Sequence, residues 1–207
     1  MKNHMKFIVA TLIAAFSICA GTFAQTDTMI DTRDGKEYKT VKIGTQIWMA
    51  ENLNYETNSG SWVYKKDPSN ASIYGRLYDW ETATKACPSG WHLPSEKEWL
   101  TLREYLGGKS IAGGKLKEEG TAHWESPNKG ATDETGFSAL PGGLRNQNNG
   151  FHYIGKHGQW WTSTWEYGGL EPGMRYMDLS SKSTKLLQYI GKMSFDKVGL
   201  SVRCVKN

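Results

Sequence analysis

The sequence predicts an α+β domain in which two helices pack on antiparallel sheets beside a long irregular loop region. Three observations predict it. A capped amphipathic helix lies near the middle of the chain, and the last third alternates apolar and polar residues. The composition is also rich in rings and glycine at once, with nine Trp, ten Tyr and 23 Gly among 207 residues. Large aromatics suit pleated, half-buried surfaces, and many glycines suit shaped turns better than a helical bundle. The length allows one ordinary domain. A hydrophobic content of 38% and a charged content of 22% exclude both a disordered tail and a membrane bundle.

The chain opens with Lys2 and Lys6 ahead of an apolar run from Phe7 to Cys19, followed by small residues and Thr22-Phe23-Ala24. A positive start, a short apolar core and a small-x-small site mark a secretory signal peptide, and the core is too short to anchor the chain across a bilayer. Cleavage is expected after Ala24. A lipoprotein modified at Cys19 is the rival reading, but Ile18 stands where a small residue is needed. The expected organisation is a signal peptide over 1–24, a short polar tether over 25–32 and one domain over 33–207. The product would be secreted, or held at the cell surface or in the periplasm. Lys2 and Lys6 are two of the 25 basic residues, so beyond position 24 the excess over 21 acidic residues falls to two. That imbalance is too small to argue for nucleic acid or an anionic membrane surface.

Export also bears on the cysteines. Cys19 would leave with the signal, and the remaining Cys87 and Cys204 are expected to pair in an oxidising compartment, the alternative being two free thiols. Such a long loop closure is worth about 4–5 kcal/mol in the chain-entropy model.

Asp34-Gly35 predicts a turn between strands at Thr28–Arg33 and Lys36–Ile43, and Gly44-Thr45 a second turn into a strand at Gln46–Met49. Residues 54–75, rich in Asn, Ser, Gly and Tyr, read as a surface loop. The first helix is expected from Asp79 to Ala86 or Cys87, with Pro88 ending it. The second begins at the N-cap Ser95, with Glu98 three residues on completing a capping box. Trp99, Leu102 and Leu106 form its stripe, and Gly107-Gly108 closes it. From Gly113 to Arg145 no period survives, and Leu116, Trp124, Phe137 and Leu140 are isolated anchors. Long irregular stretches in compact domains are commonly functional. Antiparallel strands are then expected at Phe151–Ile154, Gln159–Thr164, Met174–Leu179, Leu186–Ile190 and Val198–Val205.

Catalytic signatures are weak. No G-x-S-x-G elbow occurs. Gly108-Lys109-Ser110 imitates the end of a phosphate-binding loop, but Arg103 stands where its glycine belongs, and a helix precedes it rather than follows. Asp133-Glu134 and Glu118-Glu119 would serve a glycosidase only in a defined geometry, and adjacent acids in a polar loop are usually solvated. His92, His123, His152 and His157 lack ligand spacing, and His92 reads as a structural hydrogen-bonding residue. No cofactor is implied, although a structural Ca²⁺ held by carbonyls and carboxylates stays open.

Aromatics offer the better site. Trp160 and Trp161 are neighbours on an expected strand and so point to opposite faces, which lets one be core while the other meets a ligand. Trp165, Tyr153 and Tyr167 are close in sequence, and Arg145 to Asn149 supply a guanidinium and four amides. Flat rings beside such groups suit sugars or peptide strands. Arg145, Asn148, Trp161 and Trp165 are the expected contacts, held in the loop region from Gly113 to Gly173.

Five motifs carry a family resemblance: Gly44–Asn52 (GTQIWMAEN), Cys87–Trp99 (CPSGWHLPSEKEW), Asp133–Gly143 (DETGFSALPGG), Trp160–Trp165 (WWTSTW) and Gly199–Cys204 (GLSVRC). In this order they closely resemble the Fibrobacter succinogenes major paralogous domain, a bacterial exported family without a generally assigned activity, over about Asp31 to Val205. More distantly, Leu93–Trp99 is similar to the LPTEAEW segment of formylglycine-generating enzymes, and Gly199–Cys204 to their GFR ending. That likeness implies a C-type-lectin-like fold, whose usual long disulfide joins the first helix to the final strand and so agrees with a Cys87–Cys204 bridge. The oxidase chemistry of those enzymes needs a pair of active-site cysteines, which this chain lacks. Calcium-bridged sugar binding in C-type lectins uses Glu-Pro-Asn and Trp-Asn-Asp. Here Glu171-Pro172-Gly173 loses the amide, and no Trp-Asn-Asp occurs.

The expected function is an exported, non-catalytic domain binding extracellular carbohydrate or an envelope or matrix protein. A structural role in envelope assembly is the alternative, and an enzyme comes third.

Overall fold

The computed structural model describes residues 26–166, 173–192 and 197–207. The expected signal peptide, Tyr167, and Glu171-Pro172 lie outside the described residues. The chain is an α+β domain with two main sheets, antiparallel apart from one parallel pairing. In order it runs through β1 (Thr26–Ile30), β2 (Glu37–Ile43), β3 (Gln46–Met49) and β4 (Ser61–Trp62), then a 3-10 turn at Tyr64–Lys66. Next come α1 (Pro68–Tyr74), β5 (Leu77–Tyr78), α2 (Trp80–Ala86), β6 (Trp91–His92), α3 (Glu96–Tyr105) and α4 (Ala112–Leu116). The last part holds β7 (Leu144–Arg145), β8 (Phe151–His152), β9 (His157–Glu166), β10 (Gly173–Ser180), β11 (Leu187–Lys192), β12 (Leu200–Ser201) and β13 (Val205–Lys206). One sheet has the order β1-β2-β3-β13-β6 and the other β11-β10-β9-β12-β5-β4, while β7 and β8 form a separate hairpin.

The two expected helices form where their caps place them. Asp79 accepts from Thr82 N at the start of α2, and α3 carries the full Ser95–Glu98 capping box. Two further helices lie outside those expectations. α1 lies in the stretch read as a loop, although Asp67 caps it and Pro68 opens it, a recognisable start signal. α4 contains Gly113 and Gly114, whose low helix propensity hides it; both are buried, and a Cβ on Gly114 would come 2.3 Å from Gly130 O.

The tether expected over 25–32 is also corrected. Residues 26–30 pair antiparallel with β2, from Thr26 opposite Val41 to Ile30 opposite Glu37. The strand expected at Thr28–Arg33 ahead of the Asp34-Gly35 turn therefore forms, but it starts earlier and ends at Ile30. The single C-terminal strand expected at Val198–Val205 is split. β12 joins the six-stranded sheet beside β5 and β9, and β13 joins the five-stranded sheet between β3 and β6.

This crossing organises two cores. Strand neighbours point to opposite faces, so Trp48, Trp160 and Val205 enter one cluster with Trp99 and Leu102 of α3 and Phe137. Met49, Trp161 and Cys204 enter the other, with Ala83 and Ala86 of α2. The bridge between Cys87 and Cys204, 117 residues apart, ties the end of α2 to the strand crossing, with Cα atoms 5.9 Å apart. Five of the nine Trp are almost wholly buried: Trp48, Trp99, Trp124, Trp160 and Trp161. At roughly 200 Å² per ring and about 25 cal/mol per Å², each removes enough surface from water for an upper estimate of about 5 kcal/mol.

Candidate functional site

The motif residues converge on one buried group. Arg203 is fully buried, and its Nη2 and Nε donate to Asn52 Oδ1 at 3.0 and 3.2 Å. The same oxygen accepts from Trp160 Nε1 at 2.8 Å. Arg203 Nη1 donates to Phe137 O, and the guanidinium lies 4.3 Å from the Phe137 ring centre. Asp133 shapes that loop by accepting from Ser138 N at 2.8 Å and Ser138 Oγ at 2.6 Å. Burial pulls the Arg203 guanidinium down to about 9, with Asp133 acting the other way, and burial likewise raises the Asp133 carboxyl above its ordinary value. Four motifs therefore meet around one arginine with no route to solvent. It is a structural hub.

The expected contacts separate. Trp161 is fully buried, and its indole N–H donates to Tyr78 O at 2.7 Å. The opposite-face argument holds for Trp160 and Trp161, but α3 covers one face and α2 the other, so neither ring reaches a ligand. Trp165 is half-buried, with its ring 5.5 Å from Trp80. Asn148 is exposed at the tip of the β7–β8 hairpin, its N–H donating to Asn146 Oδ1 at 3.0 Å. Arg145 alone of the four lines a large open cleft.

That cleft has a volume of about 600 Å³ and lies between the β4 edge and the β7–β8 hairpin. Its walls include Trp62, Lys66, Arg76, Arg145 and Phe151, with Glu56 at its side. The Arg145 guanidinium stacks 3.9 Å from the Trp62 ring centre. Its backbone is clamped by reciprocal bonds with Gly199, of 2.9 Å from Arg145 N and 2.8 Å to Arg145 O. Nη1 donates to Lys197 O at 2.8 Å and Nη2 to Asn149 Oδ1. A guanidinium carries five N–H donors, and these two bonds leave capacity for a ligand. Burial lowers the group below its ordinary value, partly offset by Asp79. Arg76 pairs with Glu56 at 2.7 Å, but Glu56 is 73% exposed, so water screens the bridge.

The rim is strained. Lys65, Lys66 and Asn149 have φ of 51°, 58° and 67°. Non-glycine residues held there cost roughly 1–3 kcal/mol each and cluster at functional sites. Gly143 of the LPGG motif allows the hairpin to close, since a Cβ there would sit 2.3 Å from His152 O. Trp62, Lys66 and Arg76 escaped the sequence reading because they fall in or beside the aperiodic stretch 54–75. An aromatic and basic run, Trp62-Val63-Tyr64-Lys65-Lys66, was the available signal.

The other candidates sit in local pairs. His92 bridges Glu98 Oε1 and Asn207 Oδ1, each at 2.7 Å. His123 meets Glu118 at 2.8 Å, and His157 meets the buried Asp178 at 2.9 Å. Glu134 pairs with Lys115 at 2.9 Å. Lys117 is buried, its ammonium donating to the carbonyls of Lys129, Ser180 and Ser183 at 3.0–3.1 Å. Among the described residues no group of three His, Cys, Asp or Glu is placed to hold a metal ion, and no helix is long and apolar enough to cross a membrane.

Neither a curated protein nor a solved structure matches the chain. A family model does, over residues 41–206, which spans all five motifs and every strand from β3 onward. The chain belongs to the Fibrobacter succinogenes major domain family.

Proposed function

We propose that this is a C-type-lectin-like, non-catalytic binding domain, exported from the cell, that captures extracellular carbohydrate in the cleft between Trp62 and Arg145. The fold reading is supported by the N-terminal β3 lying beside the C-terminal β13, by the bridge from α2 to the strand crossing, and by the long loops ahead of β9. Disulfide formation supports export, because such bonds persist in oxidising compartments.

One observation carries the ligand reading: an aromatic ring and a stacked guanidinium share the wall of a cleft of about 600 Å³. Sugar rings offer apolar faces for stacking and hydroxyls for polar groups, and this volume lies within the usual range for ligand sites. Envelope or matrix proteins are the other ligand class.

A glycan and polysaccharide array tests the reading, run in Ca²⁺ and again in EDTA, with wild type and Trp62→Ala side by side. Saturable binding that survives EDTA and is lost in Trp62→Ala is expected. Loss in EDTA would require a calcium site in place of the cleft. Silence throughout would move the ligand to a protein, and a self-associated species in light scattering would favour envelope assembly.

A further inference from the structure

The cleft's charge is not balanced. Lys66, Arg76 and Arg145 line it against the single carboxylate of Glu56. Glu56 reaches only Arg76 among them and is mostly exposed. Among the described residues no carboxylate lies within ion-pair distance of Arg145 or Lys66. Arg76 Nε is buried and has no acceptor. Elsewhere the chain partners its buried cations: Arg203 has Asn52 Oδ1 and the Phe137 carbonyl, and Lys117 has three carbonyls. In an open cleft water meets the remaining N–H groups, and an anionic ligand would replace it with stronger, charge-assisted bonds.

We propose that the cleft takes an anionic sugar unit, bearing a carboxylate or a sulfate, with Arg145 and Lys66 meeting the charged group and Trp62 or Phe151 meeting the sugar ring. This inference rests on the carbohydrate reading above. A planar guanidinium fits a carboxylate or sulfate with two parallel N–H···O bonds, and the Trp62 ring already fixes its plane. Lys66 adds a point charge at the open rim. The chain's overall charge is small, so the preference comes from this local cluster rather than from a general basic surface.

The experiment compares ligands that differ only in charge. The purified protein is titrated calorimetrically with polygalacturonate oligosaccharides and with their fully methyl-esterified forms, then with sulfated and unsulfated dextran oligosaccharides, and last with poly-glutamate. Tighter binding of a charged form than of its neutral counterpart, by about tenfold, is expected from one charge-assisted contact. Whichever of uronate and sulfate binds more tightly identifies the acid. Lys66→Gln, at an exposed position, should weaken binding of the charged form by more than it weakens binding of the neutral form, narrowing the gap between the two. Arg145→Lys keeps the charge but loses the fork and should weaken binding of the charged form further. Equal binding of neutral and charged oligosaccharides, abolished by Trp62→Ala, would overturn this inference while leaving the carbohydrate reading intact. Poly-glutamate binding as tightly as any sugar, or no sugar binding at all, would overturn both.

Discussion

Arg203 and Arg145 both lie over aromatic rings, yet they belong to different kinds of region. Arg203 is fully buried, with Asn52, Phe137 and Ser138 accepting from its nitrogens. Arg145 is 9% exposed, faces an open cleft and shares its wall with other cations. The first region is closed to solvent, and the second is open to it. Side-chain type alone does not separate them. What separates them is whether every guanidinium nitrogen has found an acceptor inside the fold: all three have in Arg203, and two have in Arg145.

The sharpest way to break the comparison is to remove each guanidinium in turn. Arg203→Met should cost about 3–5 kcal/mol in denaturant unfolding, because it strands the buried Phe137 carbonyl and leaves Asn52 Oδ1 with the Trp160 indole as its remaining donor. The same change at Arg145 should cost only about 1–2 kcal/mol, since its two bonded acceptors lie nearer water. Equal losses would erase the distinction between hub and site.

Cys204 adjoins Arg203 in sequence, so the bridge sharpens the comparison from another side. Cys204→Ser should lower stability by about 2–5 kcal/mol, with ligand affinity per folded molecule unchanged. An affinity loss exceeding the fraction unfolded would mean that the cleft depends on the hub.

A smaller effect concerns α3, which covers the hub's Trp160. Burial opposes ionisation of Glu98, but hydrogen bonds from Ser95 and His92 hold its carboxyl below the ordinary value of 4.5. Such a group contributes stability that is present above 4.5 and is lost as pH falls through the lower folded-state value. Glu98→Gln should therefore cost about 1 kcal/mol near neutrality, and its melting temperature should converge on that of wild type as pH falls below 4.5. A gap that stays constant with pH would show that the capping charge is unimportant.

Much of the hub was legible in the sequence. The Ser95–Glu98 box, the Cys87–Cys204 pairing and the opposite faces of Trp160 and Trp161 all follow from local rules of capping, export and strand geometry. The site was less legible, for a physical reason. A strand's periodicity says that two faces exist but not what covers each, so Trp161 passed for a contact until α2 was seen to bury its face. Trp62 and Arg145 are 83 residues apart in sequence. They meet because Arg145 pairs with Gly199 just ahead of β12, and β12 shares β5 with β4. No local pattern encodes that meeting. Arg145 was found from its chemistry alone, and its partner was not.

The most direct test of an open cleft set against a closed hub is a ¹⁵N NMR titration of the protein with the oligosaccharide that binds best in the array. Saturable shifts confined to the backbone and indole signals of Trp62, Lys66, Arg76, Arg145 and Phe151, with the Trp160 and Trp161 indoles unmoved, are the expected result. Shifts centred on another surface, or a ligand that perturbs Trp160 and Trp161 while leaving Trp62 still, would contradict the account.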